Sequence, residues 1–198
     1  MVIGITGGIG SGKSYVLSIM EQKFHCLVME ADRIAWELEQ PSGLCYPAIL
    51  QVFGREILDV DGTIHRQKLG KIVFSNREKL LQLNQIVHPA VKETIQQRIR
   101  FLQAEQPERD IVIEAALLLE EQYDKICDTI WYIYSDIAVR KRRLKEQRGY
   151  SEEKIAAVMK NQLSDKVFRE QCNCIIKNDT TEEELIKQIE SCLKKGRQ

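Results

Sequence analysis

The sequence predicts an α/β fold in which a parallel five-stranded sheet is flanked by helices. Two observations lead there. Short apolar runs rich in β-branched residues alternate with longer amphipathic stretches, and the first apolar run leads directly into a glycine-rich turn that opens a helical pattern. The strands are expected at Val2 to Ile5, Leu27 to Met29, Ile111 to Ile113, Ile130 to Tyr134 and Cys174 to Ile176. Alternation of buried-type strands with helices is the signature of parallel pairing, because each parallel connection needs a crossover.

The helices follow from 3.6-residue periodicity and end signals. Lys13 to about Phe24 and Ala31 to Glu39 are expected to be helical, as is Gln67 to Val87 with a break. A further helix is expected from Ala90 to Glu105, with Pro89 suited to its first turn. The segment from about 43 to 106 holds no convincing strand and reads as a helical insertion between the second and third strands, where a second substrate could be held. Ile137 to Gln147, Glu152 to Gln162 and Glu182 to Lys195 complete the pattern, with residues of about 137 to 165 as a lid region. No linker rich in Gly, Ser or Pro divides the chain, so residues 1–198 are expected to form one domain.

Composition narrows the class of function. The 198 residues carry 29 Lys plus Arg against 29 Asp plus Glu, a formal net charge of zero, which gives no basis for a broad polyanion-binding surface. Nucleic acid is therefore not an expected partner, and any anion attraction must be local. The longest unbroken apolar stretches, Ala115 to Leu119 and Ile130 to Tyr134, are far shorter than the roughly 20 residues a spanning helix needs, so no membrane partner is expected. The N-terminal residues lack the basic region of a secretion signal, and a cytoplasmic location is the expectation. The six cysteines are accordingly expected to be reduced. Asp59-Val60-Asp61-Gly62 reads as a surface turn, and Trp36 and Trp131 read as core residues.

The strongest local signal is Gly7-Gly8-Ile9-Gly10-Ser11-Gly12-Lys13-Ser14, which fits G-x-x-x-x-G-K-[ST] at every required position and in the required strand–turn–helix context. Glycines let the backbone wrap a phosphate with successive N–H groups and the helix N-terminus directed at the anion. In such a loop Lys13 reaches the β- and γ-phosphates of ATP and the Ser14 hydroxyl binds Mg²⁺. Kinases, GTPase switches and mechanical ATPases share this device, but no N-K-x-D guanine element is present. Asp32 follows the second strand, at the end where ligands of open parallel sheets bind, and is expected to face the γ-phosphate. It is a general base that orients an acceptor hydroxyl, a carboxylate that holds Mg²⁺ through water, or the N-cap of the helix that begins there.

Taken with the loop, Glu30-Ala31-Asp32 and His88-Pro89, the chain resembles dephospho-CoA kinases nearly end to end. Further matches are Asp61-Gly62 with Arg66, Leu69 and Phe74; Glu114 to Glu120; the basic run from Arg140; and Ile176-Lys177-Asn178. The resemblance implies a P-loop kinase fold and transfer of the ATP γ-phosphate to the ribose 3′-hydroxyl of dephospho-CoA. It implies Asp32 as base, assisted by Lys13 and Arg140, with the helical insertion cradling the CoA portion. ATP would be held by Gly8, Gly10, Ser11, Gly12, Lys13, Ser14, Tyr15 and Asn178, the acceptor by Thr6, Asp32, Arg66 and His88, and the metal by Ser14. From the residues alone His88 reads equally as a helix cap, and Asn178 equally as a turn residue. The chain departs from the family pattern at Tyr15, Glu30, Glu114, Ala116 and Gln147. The run Arg140 to Arg148 is where the expected anion attraction lies, but Arg140, Arg143 and Arg148 cannot share one helical face, so two of them are expected to reach a phosphate. A monomer or weak homo-oligomer is expected.

Overall fold

The computed structural model describes residues 1–197. In chain order the elements are β1 (Val2–Thr6), α1 (Lys13–Phe24), β2 (Leu27–Glu30), α2 (Ala31–Leu38), α3 (Tyr46–Phe53), α4 (Arg66–Ser75) and α5 (Arg77–Glu105). There follow β3 (Ile111–Glu114), β4 (Thr129–Tyr134), α6 (Ile137–Arg148), α7 (Glu152–Lys160), α8 (Asp165–Gln171), β5 (Cys174–Lys177) and α9 (Glu182–Gly196). They fall into two compact units, Met1–Val28 with Leu102–Gln198, and Met29–Phe101.

The five strands form the expected sheet, in the order β2-β3-β1-β4-β5. β1 is central and parallel to both neighbours. Val2 lies opposite Ile111 and Ile5 opposite Glu114 on β3, while Ile3 lies opposite Thr129 and Thr6 opposite Tyr132 on β4. Every residue of β1 and β3 is buried, as expected of strands covered on both faces. Ile3, Ile5, Val112, Trp131, Ile133 and Ile176 project from the sheet into a core closed by Val16, Leu17, Ile19 and Met20 of α1 and by Leu185, Ile189, Cys192 and Leu193 of α9. α9 is locally well specified. The Thr181 side chain caps it by accepting from the Glu184 N–H, and Glu182 to Glu184 and Lys194–Lys195 complement its dipole at opposite ends. Among the described residues no helix is long and apolar enough to cross a membrane.

The second unit is helical, as the lack of strand signals implied. The expected break falls at Asn76, whose Oδ1 accepts from the Glu78 and Lys79 N–H groups at 3.0 and 3.1 Å and so starts α5. Asp59 to Gly62 is a tight surface turn: the Gly62 N–H donates to the Asp59 carbonyl at 3.0 Å, and Asp61 accepts from the Thr63 N–H and hydroxyl. Those bonds hold the Asp61 carboxyl below its ordinary range.

Two expectations are corrected. Pro89 does not begin a helix. It lies inside the continuous α5, because Val87, Val91, Ile95 and Ile99 form one buried stripe that holds the helix together across the missing Pro N–H. Trp36 is half exposed rather than core, while Trp131 is fully buried. The short helices α3 and α8 carried too few periods to be read from pattern. The packing of α9 on β5 brings the sulfurs of Cys174 and Cys192 together, with Cα atoms 6.4 Å apart and a sequence separation of 18.

The remaining cysteines are free. Burial pushes the Cys26 thiol up to about 11 and the Cys127 and Cys172 thiols up to about 12. Between the unfolded thiol value and these values the native state keeps protons that the unfolded chain has lost, so stability must fall as pH rises through this window. Urea unfolding is expected to give a lower midpoint at pH 10 than at pH 8. The difference should shrink when Cys127 and Cys172 are replaced by Ala; an unchanged difference would assign the effect to other groups.

Candidate active site

The phosphate loop spans the gap between the end of β1 and the start of α1. Gly12 is the N-cap of α1 with φ 83°, a left-handed conformation that favours glycine. A Cβ at Gly12 would overlap Nδ2 of Asn178, and one at Gly8 would overlap the Arg140 guanidinium. The glycines therefore admit neighbouring side chains as well as a ligand. The first turn of α1 contains no acidic residue, leaving its positive end uncompensated.

What holds the loop open is a set of donors directed at its carbonyls. Arg140 Nε donates to the Ile9 carbonyl at 2.9 Å. Arg143 Nη1 donates to Ser11 O at 3.2 Å and Gly10 O at 3.4 Å, and to the Ser135 hydroxyl at 3.0 Å; its Nη2 donates to Asn178 O at 2.7 Å. Ser135 Oγ and Asn178 Nδ2 also donate to Ser11 O, at 3.0 and 2.8 Å, and Asn178 Nδ2 reaches Gly12 O at 3.2 Å. In a planar trans peptide the N–H points opposite to the C=O. Pinning the carbonyls of Ile9, Ser11 and Gly12 on one side thus turns the N–H groups of Gly10, Gly12 and Lys13 to the other, which is the geometry of an anion nest.

Arg140 and Arg143 are three residues apart on α6, so they share one face. Lys141, Arg142, Lys145 and Arg148 are exposed. Two arginines of the run are engaged with the loop backbone, and Gly8 leaves room for the Arg140 fork. Burial holds the Arg140 guanidinium below its usual value, as expected of a desolvated cation. Asn178 is buried and braces the loop, so the turn alternative is replaced by a tertiary role.

Lys13 is also engaged. Its Nζ donates to Gly7 O at 3.0 Å and pairs with Glu114 Oε1 at 3.4 Å, both side chains being largely buried. Register places Glu114 beside Ile5 at the end of β3, which is why the two can meet. Ser14 is exposed at the start of α1. The Tyr15 hydroxyl donates to Glu182 at 2.6 Å. Thr6 is fully buried, and among the described residues neither its hydroxyl nor that of Ser11 has a hydrogen-bond partner.

The remaining predicted residues lie in the second unit. Asp32 is the second residue of α2; the N-cap is Glu30, and Asp32 is exposed, so the cap alternative is excluded. Arg66 Nη2 pairs with Glu39 at 3.4 Å, at the far end of α2 from Asp32. Burial raises the Glu39 carboxyl and Arg66 opposes that rise. His88 lies within α5, and so does not cap a helix. Sequence reasoning passed over Ser135, and also Gln162, whose Oε1 accepts from the Ile9 N–H and from Arg140 Nη2, both at 3.0 Å. Neither carries a motif, and only the return of β4 and of the α7–α8 turn to the loop makes them visible.

A parallel sheet of this order with a braced G-x-x-x-x-G-K-S loop defines a P-loop phosphotransferase fold. The solved structures agree on the fold: one from Thermus thermophilus superposes with a TM-score of 0.82 at 24% identity, covering 98% of this chain and 95% of that one. The dephospho-CoA kinase from Campylobacter jejuni superposes with a TM-score of 0.74 at 23% identity over 100% and 98%. The sequence is 37% identical over 194 residues to dephospho-CoA kinase of Carboxydothermus hydrogenoformans, covering 98% of this chain and 93% of that protein. The dephospho-CoA kinase family model matches residues 1–184, and the chain belongs to that family.

Proposed function

We propose that the protein transfers the γ-phosphoryl group of ATP to the ribose 3′-hydroxyl of dephospho-CoA, giving CoA and ADP. The observation that carries this reading is the complete phosphate loop, with the carbonyls of Ile9, Ser11 and Gly12 pinned so that the Gly10, Gly12 and Lys13 N–H groups turn to the other side, in a chain of the dephospho-CoA kinase family. Residues 1–198 would act as one kinase domain, with the helical region of about 43–106 holding the CoA portion.

Binding begins with electrostatics. The loop N–H groups and the positive end of α1 receive the phosphates, and Lys13 exchanges Glu114 and Gly7 O for phosphate oxygens, a stronger charge-assisted partner. Mg²⁺ fits a site of this kind. Among the described residues no group of three His, Cys, Asp or Glu could hold a metal, which suits an ion carried chiefly by nucleotide phosphates and waters, with the exposed Ser14 hydroxyl as the protein ligand. When bound, the ion supplies charge neutralisation at the transferring phosphoryl group. Asp32, exposed and not used as a cap, accepts the proton of the attacking hydroxyl. His88 and Arg66 are proposed on the acceptor side, and Arg140 next to the transferring group. The loop residues Gly8, Gly10, Ser11 and Gly12 present backbone alone. The reaction uses small, diffusible substrates, in keeping with a cytoplasmic enzyme that needs no nucleic acid or membrane.

The test is ADP release from Mg-ATP across acceptors. Turnover is expected with dephospho-CoA and to be at background with nucleoside monophosphates or with no acceptor. Equal release in all three conditions would remove dephospho-CoA as the substrate.

A further inference from the structure

The phosphate loop contains one convergence of donors that is already filled. The Ile9 N–H, from the loop, and Arg140 Nη2, from α6, both point at a single oxygen, Oε1 of Gln162, at 3.0 Å each. The same arginine fixes the Ile9 carbonyl through Nε at 2.9 Å, so one guanidinium holds that carbonyl and also the carboxamide that takes the Ile9 N–H. Gln162 lies between α7 and α8, in the turn that returns the chain to the loop.

A backbone N–H beside a half-buried guanidinium is a site for an anionic oxygen. What occupies it is the neutral oxygen of a carboxamide, which satisfies both donors but brings no charge of its own to a cation that feels only the more distant Asp165 carboxylate. The Ile9 N–H bond to the carboxamide is neutral and becomes charge-assisted with a phosphate oxygen, while Arg140 exchanges a neutral acceptor for an ionic one, so a phosphate oxygen reaching the same point would outcompete the carboxamide.

We propose that Gln162 Oε1 occupies the place of a phosphate oxygen of ATP, keeping Ile9 and Arg140 converged in the empty enzyme and leaving when the nucleotide binds. Gln162 is thus a positioning residue that sets ATP affinity by internal competition. This rests on the reading of the loop as the ATP site. The step is an exchange of hydrogen-bond acceptors, with no covalent bond made or broken.

The proposal gives two substitutions effects of opposite sign. Gln162→Glu presents a carboxylate of the same shape, which pairs with Arg140 and competes with phosphate; the Kd for Mg-ATP is expected to rise about tenfold or more. Gln162→Ala removes the competitor, and the Kd is expected to fall about threefold, since the arginine remains tied to the Ile9 carbonyl. A merely structural role would weaken binding in both variants. The experiment is calorimetric titration of the full chain with Mg-ATP, with thermal unfolding of each variant to confirm the fold and Gln162→Leu as a second neutral variant. Weaker binding by Gln162→Ala and Gln162→Leu would overturn the proposal, because Gln162 would then hold the nucleotide and not its place. A Gln162→Glu Kd equal to that of the wild type would overturn it as well. Wild-type protein that binds no ATP would overturn the loop assignment itself along with it.

Discussion

Asp32→Asn is expected to lower kcat by about 10²-fold or more while the KM for ATP stays within about twofold of the wild type. The substitution keeps the size and polarity of the side chain and removes only its capacity to take a proton. Because Asp32 sits in the second position of α2 with Glu30 as the cap, the change removes no capping bond. The folded state should therefore be nearly as stable as the wild type, apart from a few tenths of a kcal/mol from the lost carboxylate in the first helical turn. Steady-state kinetics with varied ATP and dephospho-CoA, together with thermal unfolding, separate the two effects. Wild-type turnover in a well-folded Asp32→Asn protein would remove Asp32 from the chemistry and leave its charge a matter of helix electrostatics.

Arg143→Ala is expected to act on the other side of the reaction, raising the KM for ATP and lowering kcat/KM by about 10²-fold. Arg143 supplies four acceptors, the carbonyls of Gly10, Ser11 and Asn178 and the Ser135 hydroxyl, from one planar fork. Hydrogen bonds to a charged group contribute about 1.5–3 kcal/mol each, and acceptors left behind in a buried setting add their desolvation cost. Without the fork, Ser11 O retains only Ser135 and Asn178, and the peptide that aims the Gly12 N–H is free to turn. Arg143→Lys should recover only part of the loss, because an ammonium group cannot serve acceptors spread across a plane. ATP affinity equal to wild type in Arg143→Ala would show that the loop holds its shape through its own glycines. A kinetic loss without loss of loop order, read by amide exchange at residues 8–13, would place Arg143 on the nucleotide instead.

The legibility of this fold varied with the range of the interactions involved. The five strands, the α1 and α9 boundaries and the eight-residue loop are set by local periodicity, capping and glycine placement, and each was readable within a window of about 15 residues. Pro89 was misjudged because a local rule for proline was overridden by a buried stripe extending on both sides of it. Trp36 is half exposed, because aromatic character alone does not decide burial. The meeting of Cys174 and Cys192 is not legible locally, because compartment and chain length say nothing about which two cysteines a helix and a strand bring together.

The site divides in the same way. The residues of the loop, and the chemistry they offer to phosphate, are determined by the sequence alone: the motif is contiguous, and its backbone function needs only glycines between a strand and a helix. The roles of Arg140, Arg143, Ser135, Gln162 and Asn178 were decided by the tertiary structure. They come from 124 to 167 residues away along the chain, in the bonds that tie Ser135 and Asn178 to Ser11 O, and they act on main-chain carbonyls, or for Gln162 on the Ile9 N–H, that carry no side-chain signature. A basic run at 140–148 could be read as an attraction for anions. Only the register of α6 against the loop decided which two of its cations face inward, because that choice depends on helical phase and on the space left at Gly8.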